Sequence, residues 1–163
     1  MPRTRVPDEP PGAGGASPST GAGRFGPSRR LRRPADFAAV LAAPRSHSLR
    51  AARHWLSMTA AWASSEKPAV RFGATVGKRN ARRAIDRAVV KRILREAGRH
   101  AAPALELTCA RRGLRLDVAF RLKALRDRTA EAQPALPAWR RALRDEADAL
   151  LDRLGRHLAQ PDA

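Results

Sequence analysis

The sequence predicts a small α+β domain, an α/β sandwich in which helices cover one face of one small sheet. Two observations predict it. Apolar and polar residues alternate with a period of two in three short stretches, and apolar residues recur at helical spacing in three others. In chain order these read helix, strand, strand, helix, strand, helix, a set that layers around one core.

Residues 1–28 precede the first element. Pro2, Pro7, Pro10, Pro11, Pro18 and Pro27 lie among many glycines there. Such a segment buries too little apolar surface to offset its ordering entropy, so a disordered tail is expected. A single domain over 29–159 follows, then a short tail at 160–163.

Pro34 to Ala43 reads as the first helix. Pro34 suits a first turn and Asp36 suits the positive end of the helix dipole. Phe37, Val40 and Leu41 share one face, and Pro44 closes the helix. Residues 52–62 alternate as a strand, with Trp55, Ser57, Thr59 and Ala61 on one side and Leu56, Met58, Ala60 and Trp62 on the other. A polar turn covers 63–68. The second strand, 69–76, carries Val70, Phe72, Ala74 and Val76 on its apolar face. Gly77 breaks that pattern and a basic loop follows.

The segment from Arg83 to Arg99 predicts an amphipathic helix. Ile85, Val89, Val90, Ile93, Leu94 and Ala97 fill one broad arc, and Arg87, Lys91, Arg95 and Arg99 form an i, i+4 row on the opposite side, flanked by Arg92. Residues 100–113 read as irregular, with a turn at Gly113. Leu114 to Leu122 alternates again: Leu116, Val118 and Phe120 against Arg115, Asp117, Ala119 and Arg121. A connector runs to Pro137. The last helix, 138–158, gathers Trp139, Leu143, Leu150, Leu151, Leu154 and Leu158 on one face.

Charge narrows the function. The 163 residues hold 33 Lys and Arg against 15 Asp and Glu, a formal net charge of +18. A polyanion is the natural partner, nucleic acid first and an anionic membrane surface second. No apolar run reaches the roughly 18 residues of a membrane helix, and the N-terminus lacks the apolar core of a secretory signal. Aromatic residues make up 4% and Tyr is absent, which favours contacts to phosphate and sugar over broad base stacking. The lone Cys109 excludes an internal disulfide and suits a reducing, cytoplasmic setting. It reads as a small buried hydrophobe more readily than as a nucleophile.

Lys78, Arg79, Arg82, Arg83, Arg87, Lys91, Arg92, Arg95 and Arg99 cluster in one segment, with Asp86 and Glu96 the only acids of its helix. Like charges at i, i+4 cost a few tenths of a kcal/mol each in an isolated helix. A solvated surface in an arginine-rich chain is one reading. A phosphate-binding face, whose self-repulsion a partner relieves, is the stronger one. Arginine forks suit phosphate and folded RNA, and backbone amides ahead of a helix favour anions too. Gly77-Lys78 lacks the upstream glycine of a phosphate-cradling loop. Phe37, Leu41, Trp55 and Met58 suit a core, or in part an apolar groove for a single strand. His47, His54, His100 and His157 have no metal-ligand spacing, and no carboxylate pair stands out. No catalytic or metal-binding residue of the protein is expected.

The run Phe72-Gly-Ala-Thr-Val-Gly-Lys78-Arg79, then Ala81-Arg-Arg-Ala84, then Arg87-x-x-x-Lys91-Arg92-x-x-Arg95-Glu96 resembles the signature of the bacterial ribonuclease P protein family. Asp36-Phe37 with Val40-Leu41 resembles that family's first helix, and Asp117-Val118-x-x-Arg121 its last strand. The likeness spans about residues 30–158. It implies an α/β sandwich with a left-handed βαβ crossover. It also implies a protein subunit of ribonuclease P, one per RNA. The RNA subunit would bind Mg2+ and hydrolyse the phosphodiester. The protein would hold that RNA and the 5′ leader of precursor tRNA, with no role at a membrane. By position, Lys78, Arg79, Arg87, Lys91, Arg92 and Arg95 would face the catalytic RNA. Phe37, Leu41 and Met58 would line the leader cleft, with Arg121 nearby. Ala88 stands where the motif has Asn, and Val89 where many members have a second Arg. Met58 stands where an aromatic is frequent, which weakens stacking of the leader. Two other readings compete: a structural RNA-binding protein such as a ribosomal protein, and a DNA-binding protein with its basic helix in a major groove. The order of basic residues favours ribonuclease P, and the flanking strands give no helix-turn-helix.

Overall fold

A computed structural model describes residues 26–123 and 135–160. Most of the expected N-terminal tail, most of the connector and the last three residues lie outside the described residues. The elements are α1 (Pro34–Ala42), β1 (Ser48–Ala52), β2 (Leu56–Ser64), β3 (Ala69–Thr75), α2 (Ala84–Arg112), β4 (Leu114–Leu122) and α3 (Leu136–Ala159). The sheet order is β1-β2-β4-β3. β1 and β4 flank β2 antiparallel, and β3 runs parallel to β4. α2 is the crossover between those parallel neighbours.

Alternation sets the two faces. Leu56, Met58, Ala60 and Trp62 pair in register with Leu122, Phe120, Val118 and Leu116. All eight belong to one core with Val70 and Phe72 of β3, Val90 and Leu94 of α2, and Leu143 and Leu150 of α3. Fully burying one such side chain is worth roughly 1.5–3 kcal/mol. α2 lies over β3 and β4, and α3 over β2 and β1. α1 takes the opposite face, so helices cover both sides of the sheet rather than one. There Leu31, Val40 and Ala119 form a second small cluster with Phe37 and Ala61.

Two elements differ from the sequence expectation. The first strand begins at Leu56, and β1 is a separate strand before it. Between them Arg53 N donates to Leu56 O at 2.8 Å, and the Glu146 carboxylate of α3 accepts from Trp55 N at 2.9 Å and Leu56 N at 3.0 Å. β1 forms because it gains a partner: Leu49 and Ala51 meet Ala60 and Met58. The basic helix also runs on through 100–112. Pro103 sits inside it, where a proline costs about 3 kcal/mol. Ala102 just before it and Leu105 and Cys109 beyond it continue the buried stripe, and their packing outweighs that cost. The turn at Gly113 is the helix C-cap, left-handed at φ 61, with its N–H on the carbonyls of Cys109 and Ala110.

Candidate nucleic-acid interface

The buried stripe of α2 is Val90, Leu94, Ala97, Gly98, Ala102, Leu105 and Cys109. Ile85, expected inside, is 68% exposed, and Val89 and Ile93 are half-buried. The apolar arc is thus rotated from the predicted one. The row Arg87-Lys91-Arg95 flanks the stripe instead of opposing it. That flank faces the edge strand: Lys91 and Arg95 line a cleft with Arg30, Leu31, Gly73 and Ala74.

The loop before α2 is pinned at several points. Gly77 O accepts from Asn80 N at 3.0 Å and from Ala81 N at 3.1 Å. The Asn80 amide donates to Leu122 O at the end of β4, and Ala81 is buried. Lys78, Arg79, Arg82 and Arg83 project from this loop, all exposed. Lys91, Arg92 and Arg95 are exposed too. Among the described residues none of these seven has a carboxylate partner. The other two predicted contacts differ. Arg99 is paired with Glu96 at 3.0 Å. Arg87 is half-buried, and its Nη1 donates to Ala81 O at 3.0 Å and Arg82 O at 2.7 Å.

The α1 side of the sheet carries three cross-strand rows. Register aligns Ser48, Ala61, Asp117 and Arg71; then Arg50, Thr59, Ala119 and Gly73; then Ala52, Ser57, Arg121 and Thr75. An ion network docks α1 over the first row. Arg71 grips Asp117 through two 2.7 Å hydrogen bonds and reaches Asp36 at 3.4 Å. The backbone N–H of Arg33 and the charge of Arg71 hold the Asp36 carboxyl below its ordinary value. Hydrogen bonding to Asp117 pushes the Arg71 guanidinium up. Phe37 rests on the middle row: a Cβ on Gly73 would lie 2.5 Å from its ring, so only glycine fits there. Arg50 donates to Leu41 O at 2.8 Å and holds the end of α1. The last row stays open, with Thr75 and Arg121 exposed and Ser57 partly so.

Of the predicted cleft residues, Phe37 is half-buried against the sheet, Leu41 is 58% exposed, and Arg121 is exposed on the open row. Met58 is a correction. It is 1% exposed and pairs with Phe120, whereas Arg121 pairs with Ser57. Parity therefore places Met58 in the core under α2 and α3, on the far side of the sheet from Phe37. Ser57, Thr59 and Thr75 face the α1 side in its place, and with Arg121 they form a polar shelf on the open part of the sheet. Their parity with Arg121 was the available signal, and it needed the β2–β4 register to be read.

Among the described residues no three or more His, Cys, Asp or Glu side chains come together to hold a metal ion. Cys109 is buried, and burial pushes its thiol up to about 11, which leaves it protonated and unreactive. No helix among the described residues is long and apolar enough to cross a membrane.

The family model Ribonuclease P matches residues 25–154. A ribonuclease P protein component from Bordetella avium (strain 197N) is 36% identical over 129 residues, covering 78% of this chain and 92% of that protein. The solved structure of the Staphylococcus aureus RNase P protein is similar with a TM-score of 0.50 at 17% identity, over 77% of this chain and 94% of that one; this likeness concerns the fold. With the basic loop and helix placed against a mixed four-stranded sheet, the chain belongs to the ribonuclease P protein family, the protein component of an endoribonuclease.

Proposed function

We propose that the chain binds the catalytic RNA of ribonuclease P through its basic loop and the adjoining flank of α2. We further propose that it lays the 5′ leader of precursor tRNA across the open sheet face beside α1. It thereby aids endonucleolytic removal of the leader, which leaves the mature tRNA 5′ end. The observation that carries this is the set of seven exposed cations between Lys78 and Arg95 that have no carboxylate partner among the described residues. Concentrated like charge is relieved when these cations meet phosphates and displace the counterions condensed on the RNA.

The shelf supports the second contact. Its hydroxyls and Arg121 suit a sugar–phosphate backbone more than a base, which fits binding of leaders of varied sequence. Magnesium, when bound, stabilises charge at the scissile phosphate and belongs to the RNA in this reading. The protein's residues bind and orient. One protein per RNA in the cytoplasm completes the proposal.

The test is multiple-turnover cleavage of precursor tRNA at low magnesium by the cognate ribonuclease P RNA, with and without the protein. A strong protein-dependent rate increase with correct 5′ ends is expected. No increase from folded protein would leave a structural RNA-binding role.

A further inference from the structure

We infer that Arg87 is a positioning residue for the basic loop rather than a phosphate ligand, an inference that rests on the RNA-binding reading of that loop. Its sequence spacing groups it with Lys91 and Arg95, one and two turns along α2. Its surroundings separate it from them. Lys91 and Arg95 are exposed, while Arg87 is half-buried and turned back toward the chain that precedes its own helix. One atom, Nη1, donates to Ala81 O at 3.0 Å and to Arg82 O at 2.7 Å. Both carbonyls lie upstream of the N-cap Arg83, outside the hydrogen-bond ladder of α2.

The brace completes a set of anchors. Gly77 O holds Asn80 N and Ala81 N, the Asn80 side chain holds Leu122 O, and the buried Ala81 plugs the loop into the core. The Arg87 guanidinium adds ties to Ala81 O and Arg82 O on the stretch leading into α2, where the backbone contributes only the first helical bond, from Arg87 N to Arg83 O at 3.2 Å. The side chains of Lys78, Arg79, Arg82 and Arg83 emerge between these ties. A loop held in one shape loses less conformational freedom when its cations meet phosphates. Arg87 thus raises RNA affinity through its four neighbours while its own charge stays on peptide carbonyls.

A double-mutant cycle against ribonuclease P RNA separates the two roles. Arg87→Ala is expected to weaken binding about tenfold in the natural chain, but less than about twofold once Lys78, Arg79 and Arg82 are all Ala. An equal loss in both backgrounds means an independent phosphate contact and overturns the inference. A second arm needs no RNA. Amide exchange at residues 81–84 should speed up in Arg87→Ala while exchange at residues 90–94 stays constant. Unchanged loop exchange overturns the brace. Arg87→Met keeps the aliphatic stem and removes only the donors, so a loss of packing is told apart from a loss of bracing. If the natural chain has no affinity for that RNA, the RNA-binding reading fails, and the exchange arm still decides whether Arg87 braces the loop.

Discussion

Arg71 and Asp117 are register partners across the parallel β3–β4 pair, and two 2.7 Å hydrogen bonds join guanidinium to carboxylate. Each side chain is 18% exposed, so the pair is largely shielded from water, and Arg71 extends it to Asp36 on α1. Replacing Arg71 with Ala leaves Asp117 half-buried without its main partner. The expected cost is about 1.5–3 kcal/mol, read by urea unfolding. α1 should loosen with it, so precursor tRNA binding should fall while mature tRNA binding holds. Equal losses for both RNAs would detach α1 from leader recognition.

Acid should act on the same network through Asp36. Its carboxyl is held below the ordinary value mainly by the Arg33 N–H, with Arg71 adding to it. A depressed carboxyl adds stability above its unfolded value, near 3.9, and that stability is lost as pH falls through the folded value. Asp36→Asn should therefore be less stable than the natural chain by a constant margin above about pH 5, and the margin should shrink away as pH falls through the lowered folded value of that carboxyl. A margin that persists in acid would assign the effect to packing of α1.

The exposed cations should register in the salt dependence of RNA binding. Replacing Lys78, Lys91 and Arg95 together with Ala should reduce the slope of log K against log salt by roughly two to three units, at about 0.7–0.9 per lost phosphate contact. Arg99→Ala should change it by less than about one unit, because Glu96 already pairs with that charge. An unchanged slope in the triple variant would remove the α2 flank from the interface.

Cys109 should resist alkylation in the folded chain. Burial, with a smaller push from Glu106, raises its thiol to about 11. A raised value adds stability that is whole below the unfolded thiol's value, near 8.5, and lost as pH rises through the folded one. Iodoacetamide at pH 8 should label Cys109 only after urea is added, as mass spectrometry would read. Rapid labelling of native protein would mean that the end of α2 opens.

Much of this arrangement is written locally in the chain. β4 shows strict alternation, so its faces were predicted, and the basic residues of the loop and α2 were recognised by their density. What escaped depends on partners distant in sequence. β1 is a five-residue strand of modest propensity that exists because β2 offers an edge. α2 crosses Pro103 because α3 packs on it. Met58 landed on the wrong side because only the β2–β4 register says which residues of the two strands share a face. Arg87 looks like its neighbours in any window of sequence, and only the loop folding back reveals its carbonyl partners. The motif likeness supplied the family where periodicity alone supplied only layers.

The end of β4 works like a gauge block. Arg121 stands on the shelf, Leu122 faces the core, and the Leu122 carbonyl holds Asn80 and with it the basic loop. A slip of one residue in that strand would turn Arg121 inward and Phe120 outward, and the same slip would pull the carbonyl away from Asn80. The two surfaces consequently share one zero point. Insertions or deletions inside β4 would put both out of calibration at once, through two adjacent residues.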